Sequence, residues 1–272
     1  MQSFGNLGLI ILLANLGITW YTFQRQDLFE RGVFQVREVL AGQWYRLLSA
    51  GFMHVSWTHL LVNMLTLYFF VGSVESRLGF GGLAILYLAS LLGGNLLSLA
   101  LQRRQPEYRA VGASGAVSGV VYAAIALFPG MKLAFILIPI PFPAWIYGVG
   151  FILYSIYGMN RGKDNIGHEA HLGGALTGLL VALALKPELW NQHPLTILYI
   201  MIPAILFLIV IAVRPRLVGL VKPSGQENYD IDDRYREKRA REREELDRIL
   251  EKIKLRGRDS LTVEERDFLN RQ

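Results

Sequence analysis

The sequence predicts an all-α, polytopic membrane protein. Three observations carry that prediction. Of the 272 residues, 52% are hydrophobic, and the mean hydropathy of +0.32 is high for a soluble domain. The apolar residues come in blocks of membrane-spanning length. The few strongly polar side chains inside those blocks are clustered, as expected where a bilayer tolerates them only for function. Cysteine is absent, which excludes disulfides, thiolate nucleophiles and Cys-ligated metals. The net charge of +6 is spread over loops and a charged tail, so no nucleic-acid partner is expected.

Seven apolar blocks lie at about residues 7–23, 57–74, 81–101, 114–128, 144–157, 170–185 and 195–213. No basic segment followed by a small-residue cleavage site precedes the first, which is expected to be a retained span. Blocks four to six are short and rich in Gly and Ala. They cannot easily cross a hydrocarbon core of ~30 Å, which predicts helices that stop inside the protein or lie in a thinned bilayer. Between blocks four and five, "LAFILIPIPFP" (133–143) carries prolines at 139, 141 and 143. Proline forbids a continuous helix there, so an extended hairpin or re-entrant loop is expected.

The loop from 24 to 53 interleaves charged residues with Leu28, Phe29, Phe34, Trp44 and Tyr45, which predicts a structured element at the membrane interface. After Val213 the composition changes: residues 214–272 hold 16 Lys/Arg and 14 Asp/Glu. Alternating charge over 232–255 predicts an exposed helix, with Leu246, Ile249, Leu250 and Ile253 as its apolar stripe. Gly257 should end it, and Thr262-Val-Glu-Glu265 reads as a capping box opening a second short helix. The expected division is a membrane core over 1–190, an additional transmembrane helix over 191–213, and a charged, mostly helical tail over 214–272.

Three polar clusters open blocks two, four and six. His59 and Asn63 are at i, i+4 and share a helix face. Ser114 opens block four, and His168-Glu-Ala-His171 opens block six. Spans alternate in direction, so the three clusters should lie on one side of the membrane. A serine becomes a nucleophile when a neutral histidine takes its proton, and His171 can do so. His59, Asn63 and the free N–H groups at the start of block four can meet a developing oxyanion, helped by the helix dipole. Gly112 leaves room for a substrate backbone. Gly115-xxx-Gly119 and Gly174-xxx-Gly178 are small-xxx-small faces that let two helices touch and bring Ser114 to His171.

These motifs resemble those of the rhomboid family of intramembrane serine proteases. Gly112-Ala-Ser114-Gly115 is similar to its G-x-S-G motif, His59 and Asn63 to its H-x-x-x-N motif with His54 preceding, and Ala170-His171-Leu-Gly-Gly174 to its A-H-x-x-G pattern. Trp44-Tyr-Arg46 and Glu75-Ser-Arg77 resemble further family elements. The resemblance implies a six-helix core, Ser114 as nucleophile, His171 as base, His59 and Asn63 at the oxyanion, and transmembrane proteins as substrates. One departure stands out: four residues after the nucleophile, where the family often has Tyr or Phe against the histidine, this chain has Ser118.

Duller readings weigh against these. Gly-Ser-Gly runs are common at helix contacts, and Ser114 without the histidines would read as a packing residue. His168 is expected to be structural or interfacial, toward the surface. His168-Glu-Ala-His171 is one residue short of the zinc motif H-E-x-x-H, and no third ligand is apparent, so neither metal nor other cofactor is expected. No internal repeat suggests a transporter. An inactive relative that binds membrane segments is the alternative, and it has no need of both Ser114 and His171. Bilayer residence in a bacterial cytoplasmic membrane is expected. For orientation, the resemblance implies an N-terminus inside and a site facing outside, and seven spans then put the tail outside. Nine Lys/Arg in loops one, three and five against three in the opposite loops argue the reverse, but loop one reads as a folded interfacial element, so the site and residues 214–272 are expected outside.

Overall fold

A computed structural model describes residues 5–134, 140–161, 166–213, 245–255, 257 and 260–270. The chain divides into two compact units, Met1–Gln226 and Glu227–Gln272.

The first unit is a helix bundle, and the chain is an all-α polytopic membrane protein. Helix α1 (Asn6–Gln24) leads into a folded loop of short helices α2 (Gln26–Gly32), α3 (Val36–Leu40) and α4 (Arg46–Ser49). Helix α5 (Trp57–Gln102) has 46 residues, too many for one span. Gly79, at φ 71° and ψ 177°, breaks it into arms of roughly 33 Å, each long enough to cross a bilayer at 1.5 Å per residue. Then follow α6 (Ser114–Leu127), α7 (Ala144–Arg161), α8 (His168–Leu185), the short α9 (Glu188–Gln192) and α10 (Pro194–Val213). Large apolar side chains such as Leu9, Ile10, Leu13, Ile202, Leu206 and Ile209 face outward on α1 and α10, as expected for helices whose solvent is lipid.

The short α6 is the centre of the bundle: every residue from Gly115 to Leu127 is buried. Its 14 residues need not reach across a bilayer because protein surrounds them. That selects small side chains, which let α5 and α8 close on it. The sequence expectation of a helix stopping inside the protein is met here by burial on all sides. The proline-rich hairpin is present at its base, where Lys132–Leu133 pairs antiparallel with Phe142–Pro143; residues 135–139 lie outside those described.

Loop one is folded. Phe34, Val36, Val39, Leu47 and Ala50 form a small core with Leu99 of α5, while Leu40, Trp44 and Tyr45 remain exposed. Arg46 is buried and donates from Nε to Gln43 Oε1 and from Nη1 to the carbonyls of Glu30 and Val33. This explains why a charged residue follows Trp44-Tyr. Glu75 is also structural: its carboxylate accepts from the N–H groups of Leu7 and Gly8 at 3.0 and 2.8 Å. It fills the capping role for α1, which has no cap of its own.

In the second unit, residues 245–255 are helical, and 232–244 of the expected helix lie outside the described residues. Gly257, at φ 75°, donates to Ile253 O and closes the helix. Thr262 and Glu265 exchange both hydrogen bonds of a capping box, at 2.8 and 3.2 Å, opening a second short helix, Val263–Asn270. The apolar stripe is narrower than expected: Ile249 is buried, but Leu250 is exposed, because a single short partner helix covers only one side of the stripe.

Glu265 also binds Lys252 Nζ and Arg248 Nη2. Lys252, the Thr262 N–H and Arg248 hold its carboxyl down at about 2, against an ordinary value of 4.5. A depressed carboxyl contributes stability that is complete above its unfolded value and is lost as pH falls through the folded one. Protection of the amides of 245–270 against hydrogen exchange in the full chain is therefore expected to fall between pH 4.5 and 2. In Glu265→Gln, protection is expected to be low already at pH 7 and nearly flat over that window.

Candidate functional site

The site forms where three helices begin together. A seam of backbone contacts joins α6 to α8. A Cβ on Gly174 would overlap the Gly115 carbonyl, and one on Gly178 would overlap Gly119. A Cβ on Gly115 would meet Ala170 O at 3.2 Å. Matching pairs at 115/170, 115/174 and 119/178 mean that the two helices run parallel, so their first turns lie side by side. Ser114 precedes Gly115, and His171 follows Ala170; both side chains are half-buried. A second seam holds α8 from the other side. Cβ atoms on Gly94 and Gly173 would each lie 2.6 Å from a carbonyl oxygen, of Ala170 and Gly93 respectively. This seam lies outside the glycine faces expected from the sequence, although Gly93-Gly94 and Gly173-Gly174 are both doublets of the kind that mark such contacts.

The start of the first α5 arm closes the site. The His59 ring lies against Gly112, whose Cβ would be 2.7 Å from Cε1. Gly112 has φ 128°, a conformation open to glycine, and its N–H donates to Ala50 O at 2.9 Å. His54 ties the approach to Ser114 in place. The Ala113 N–H donates to its Nε2 at 3.4 Å, so that nitrogen is the acceptor. The proton therefore sits on Nδ1, which donates to Thr19 Oγ1 at 2.9 Å, and the Thr19 hydroxyl in turn donates to Phe52 O at 3.3 Å. From the other side, strand Arg109–Ala110 pairs with Phe34–Gln35, and Arg109 reaches Glu30 at 2.8 Å. The segment entering α6 is thus fixed by loop one, α1 and His54.

Asn63 is buried, and its Nδ2 donates to His59 O at 3.1 Å, four residues back. One of its two N–H groups is thereby used within the helix and the other is available. The N–H groups in the first turn of α6 have no intrahelical acceptor.

The chain's departure at Ser118 is resolved by geometry. Ser118 Oγ donates to Ser114 O at 2.7 Å and offers no ring. The ring comes from α7: Phe151 stacks on His171, with centroids 5.5 Å apart and planes at 27°. Tyr147 stacks behind Phe151, and Tyr122, one turn beyond Ser118, tilts against it. The sequence signal for it is the aromatic stripe Tyr147, Phe151 and Tyr154 along one face of block five, which the pattern of apolar blocks marks only as a span.

His168 corrects an expectation. It is buried, not near the surface; its ring sits where a Cβ on Gly158 would be, edge-on to Tyr154. Antiparallel packing of α7 against α8 covers it. Glu169, between the two histidines, accepts from Gln102 Nε2 and Tyr108 Oη, so its carboxylate serves to join α8 to the end of α5.

Fold and site together define a polytopic membrane protein with a serine and several histidines gathered at the buried starts of its helices. A rhomboid domain model matches residues 41–188, more than half of the chain, and the chain belongs to the rhomboid family. Residues 229–272 match a family of unknown function, DUF6576, close to the limits of the second unit. The chain is similar to RHOMBOID-like protein 12, mitochondrial, of Arabidopsis thaliana, with 32% identity covering 62% of this chain and 54% of that protein. It is similar to Rhomboid protein 1, mitochondrial, of Saccharomyces cerevisiae, with 32% identity over 54% and 43%. It is similar to Rhomboid protease GluP of Bacillus subtilis, with 27% identity over 80% and 40%. The chain thus spans about half the length of these relatives or less. Relatives named for mitochondria stand beside a bacterial one, so they give the expected bacterial cytoplasmic membrane no support, and the assignment stays at a multi-pass membrane protein.

Proposed function

We propose that the chain is a serine endopeptidase that cuts peptide bonds in or near the transmembrane helices of other membrane proteins. The observation that carries this reading is the glycine seam between α6 and α8, next to which Ser114 and His171 lie on adjoining first turns. Membership of a family that includes a named protease supports it.

In this reading Ser114 Oγ attacks the scissile carbonyl carbon while His171 takes its proton. The oxyanion of the tetrahedral intermediate accepts from the α6 N-terminal N–H groups, with Asn63 and His59 beside it. Collapse breaks the C–N bond, and His171 returns the proton to the leaving amine. Water, deprotonated by His171, then hydrolyses the acyl-enzyme and frees Ser114. Substrates should carry small, helix-weakening residues near the cut, since an intact helix keeps its carbonyls hydrogen-bonded and too crowded for a site lined by glycine.

Cleavage of a model transmembrane substrate by wild type beside Ser114→Ala tests the reading, with fluorophosphonate labelling in parallel. Binding of membrane segments without turnover, indifferent to Ser114→Ala, would point instead to a non-catalytic relative. Asn63→Ala is expected to lower kcat more than it raises KM, because its free N–H is used in the transition state. Loss of one such donor costs on the order of 10²–10³ in soluble proteases; neighbouring donors here should hold the loss near the lower end. An unchanged kcat removes Asn63 from the oxyanion site.

A further inference from the structure

We propose that Phe151 is the positioning residue for His171, and that α10, the helix beyond the six-helix core, sets its placement by bracing α7. The inference rests on the reading of His171 as the base. Ser118 carries no ring at the position four residues after Ser114, and Phe151 of α7 supplies a stacked face to the histidine, with centroids 5.5 Å apart. The plane of the imidazole is then fixed by a helix that carries neither the nucleophile nor the base.

What fixes α7 is visible at Gly148, less than one turn from Phe151. The Tyr122 hydroxyl of α6 donates to the Gly148 carbonyl. The position of a Gly148 Cβ is hemmed in at 3.1 Å both by Ile125 of α6 and by Ile200 of α10. Trp145 of α7 also packs on Tyr199 of α10, with centroids 5.1 Å apart, and Ile197, Ile200 and Ala204 of α10 are buried. α7 is therefore gripped between α6 and α10 one turn from the residue that orients the base. Removing α10 side chains from that grip frees α7 to shift and take Phe151 with it. A displacement of about 1 Å in a positioned group can cost on the order of 10² in rate.

The test measures kcat and KM for a model transmembrane substrate, the second-order rate of fluorophosphonate labelling at Ser114, and the unfolding temperature of each variant. Phe151→Leu is expected to lower kcat and the labelling rate together by about 10²-fold, with KM unchanged, and Phe151→Tyr to restore most of both. Ile200→Ala is expected to lower the same two rates by roughly tenfold, and to add nothing in a Phe151→Leu background, as residues that act through one shared element do. If Phe151→Leu fails to fold, Phe151→Met, which fills the space without a flat face, is read in its place.

Wild-type labelling in a folded Phe151→Leu protein overturns the proposal, because the small probe reports the dyad without substrate entry. Additive losses for Phe151→Leu and Ile200→Ala overturn the role of α10. Retained turnover in Ser114→Ala or His171→Ala is a different result, since it sinks the dyad itself and leaves Phe151 with no base to position.

Discussion

Ser114→Ala and His171→Ala are each expected to abolish cleavage of a transmembrane substrate while the protein still folds and inserts. In soluble serine proteases, removing nucleophile or base alone costs on the order of 10⁶ in kcat, and a comparable loss here takes turnover below detection. The expectation of intact folding has a structural basis. Neither side chain belongs to the seam that holds α6 to α8: Gly115, Gly119, Gly174 and Gly178 make that contact. Ser114 sits at the first position of its helix, and the described hydrogen bond to its residue uses the backbone carbonyl, which accepts from Ser118 Oγ. Alanine keeps that carbonyl. His171→Ala leaves Phe151 facing a void, so some loss of unfolding temperature should accompany loss of activity, and Ser114→Ala should show the smaller loss. Fluorophosphonate labelling is expected to vanish in both. Near-wild-type turnover in either variant means that the proposed dyad is wrong.

Gly174→Leu is expected to damage activity and stability together, more severely than any change on the outer faces. At Gly174 a Cβ would meet backbone, the carbonyl of Gly115, and backbone cannot rotate away as a side chain can. The helices must separate or one must unwind. Overpacking in cores costs about 1–3 kcal/mol where side chains can yield, and this position lies above that range. Separating α6 from α8 also moves Ser114 from His171, so kcat falls even in the fraction that folds. Gly178→Leu meets Gly119 in the same way, one turn deeper. Gly17→Leu is the control: nothing lies within 4 Å of a Cβ at Gly17 on α1, and leucine there is expected to leave unfolding temperature and turnover unchanged. Full activity in both Gly174→Leu and Gly178→Leu would falsify the seam as the element that assembles the site.

The sequence by itself determined the helical membrane class, the order of the helices, the glycine faces of α6 and α8, and the capping box of the tail. These are written in short-range patterns: apolar block length, small residues every fourth position, and a Thr-to-Glu spacing of three. It also singled out Ser114, His171, His59 and Asn63 as one candidate cluster, because alternating spans put the starts of three helices at one end. Tertiary structure alone decided the partners across helices. Glu75 caps α1 from 67 and 68 residues away, and no local pattern encodes that pairing. His168 is buried because α7 covers it, not because of its place in block six. Phe151 replaces the ring missing at Ser118 from a helix about thirty residues downstream. Aromatic stacking is satisfied by whichever helix packs alongside, and the helix neighbours are chosen by the glycine seams and by α10, not by distance along the chain.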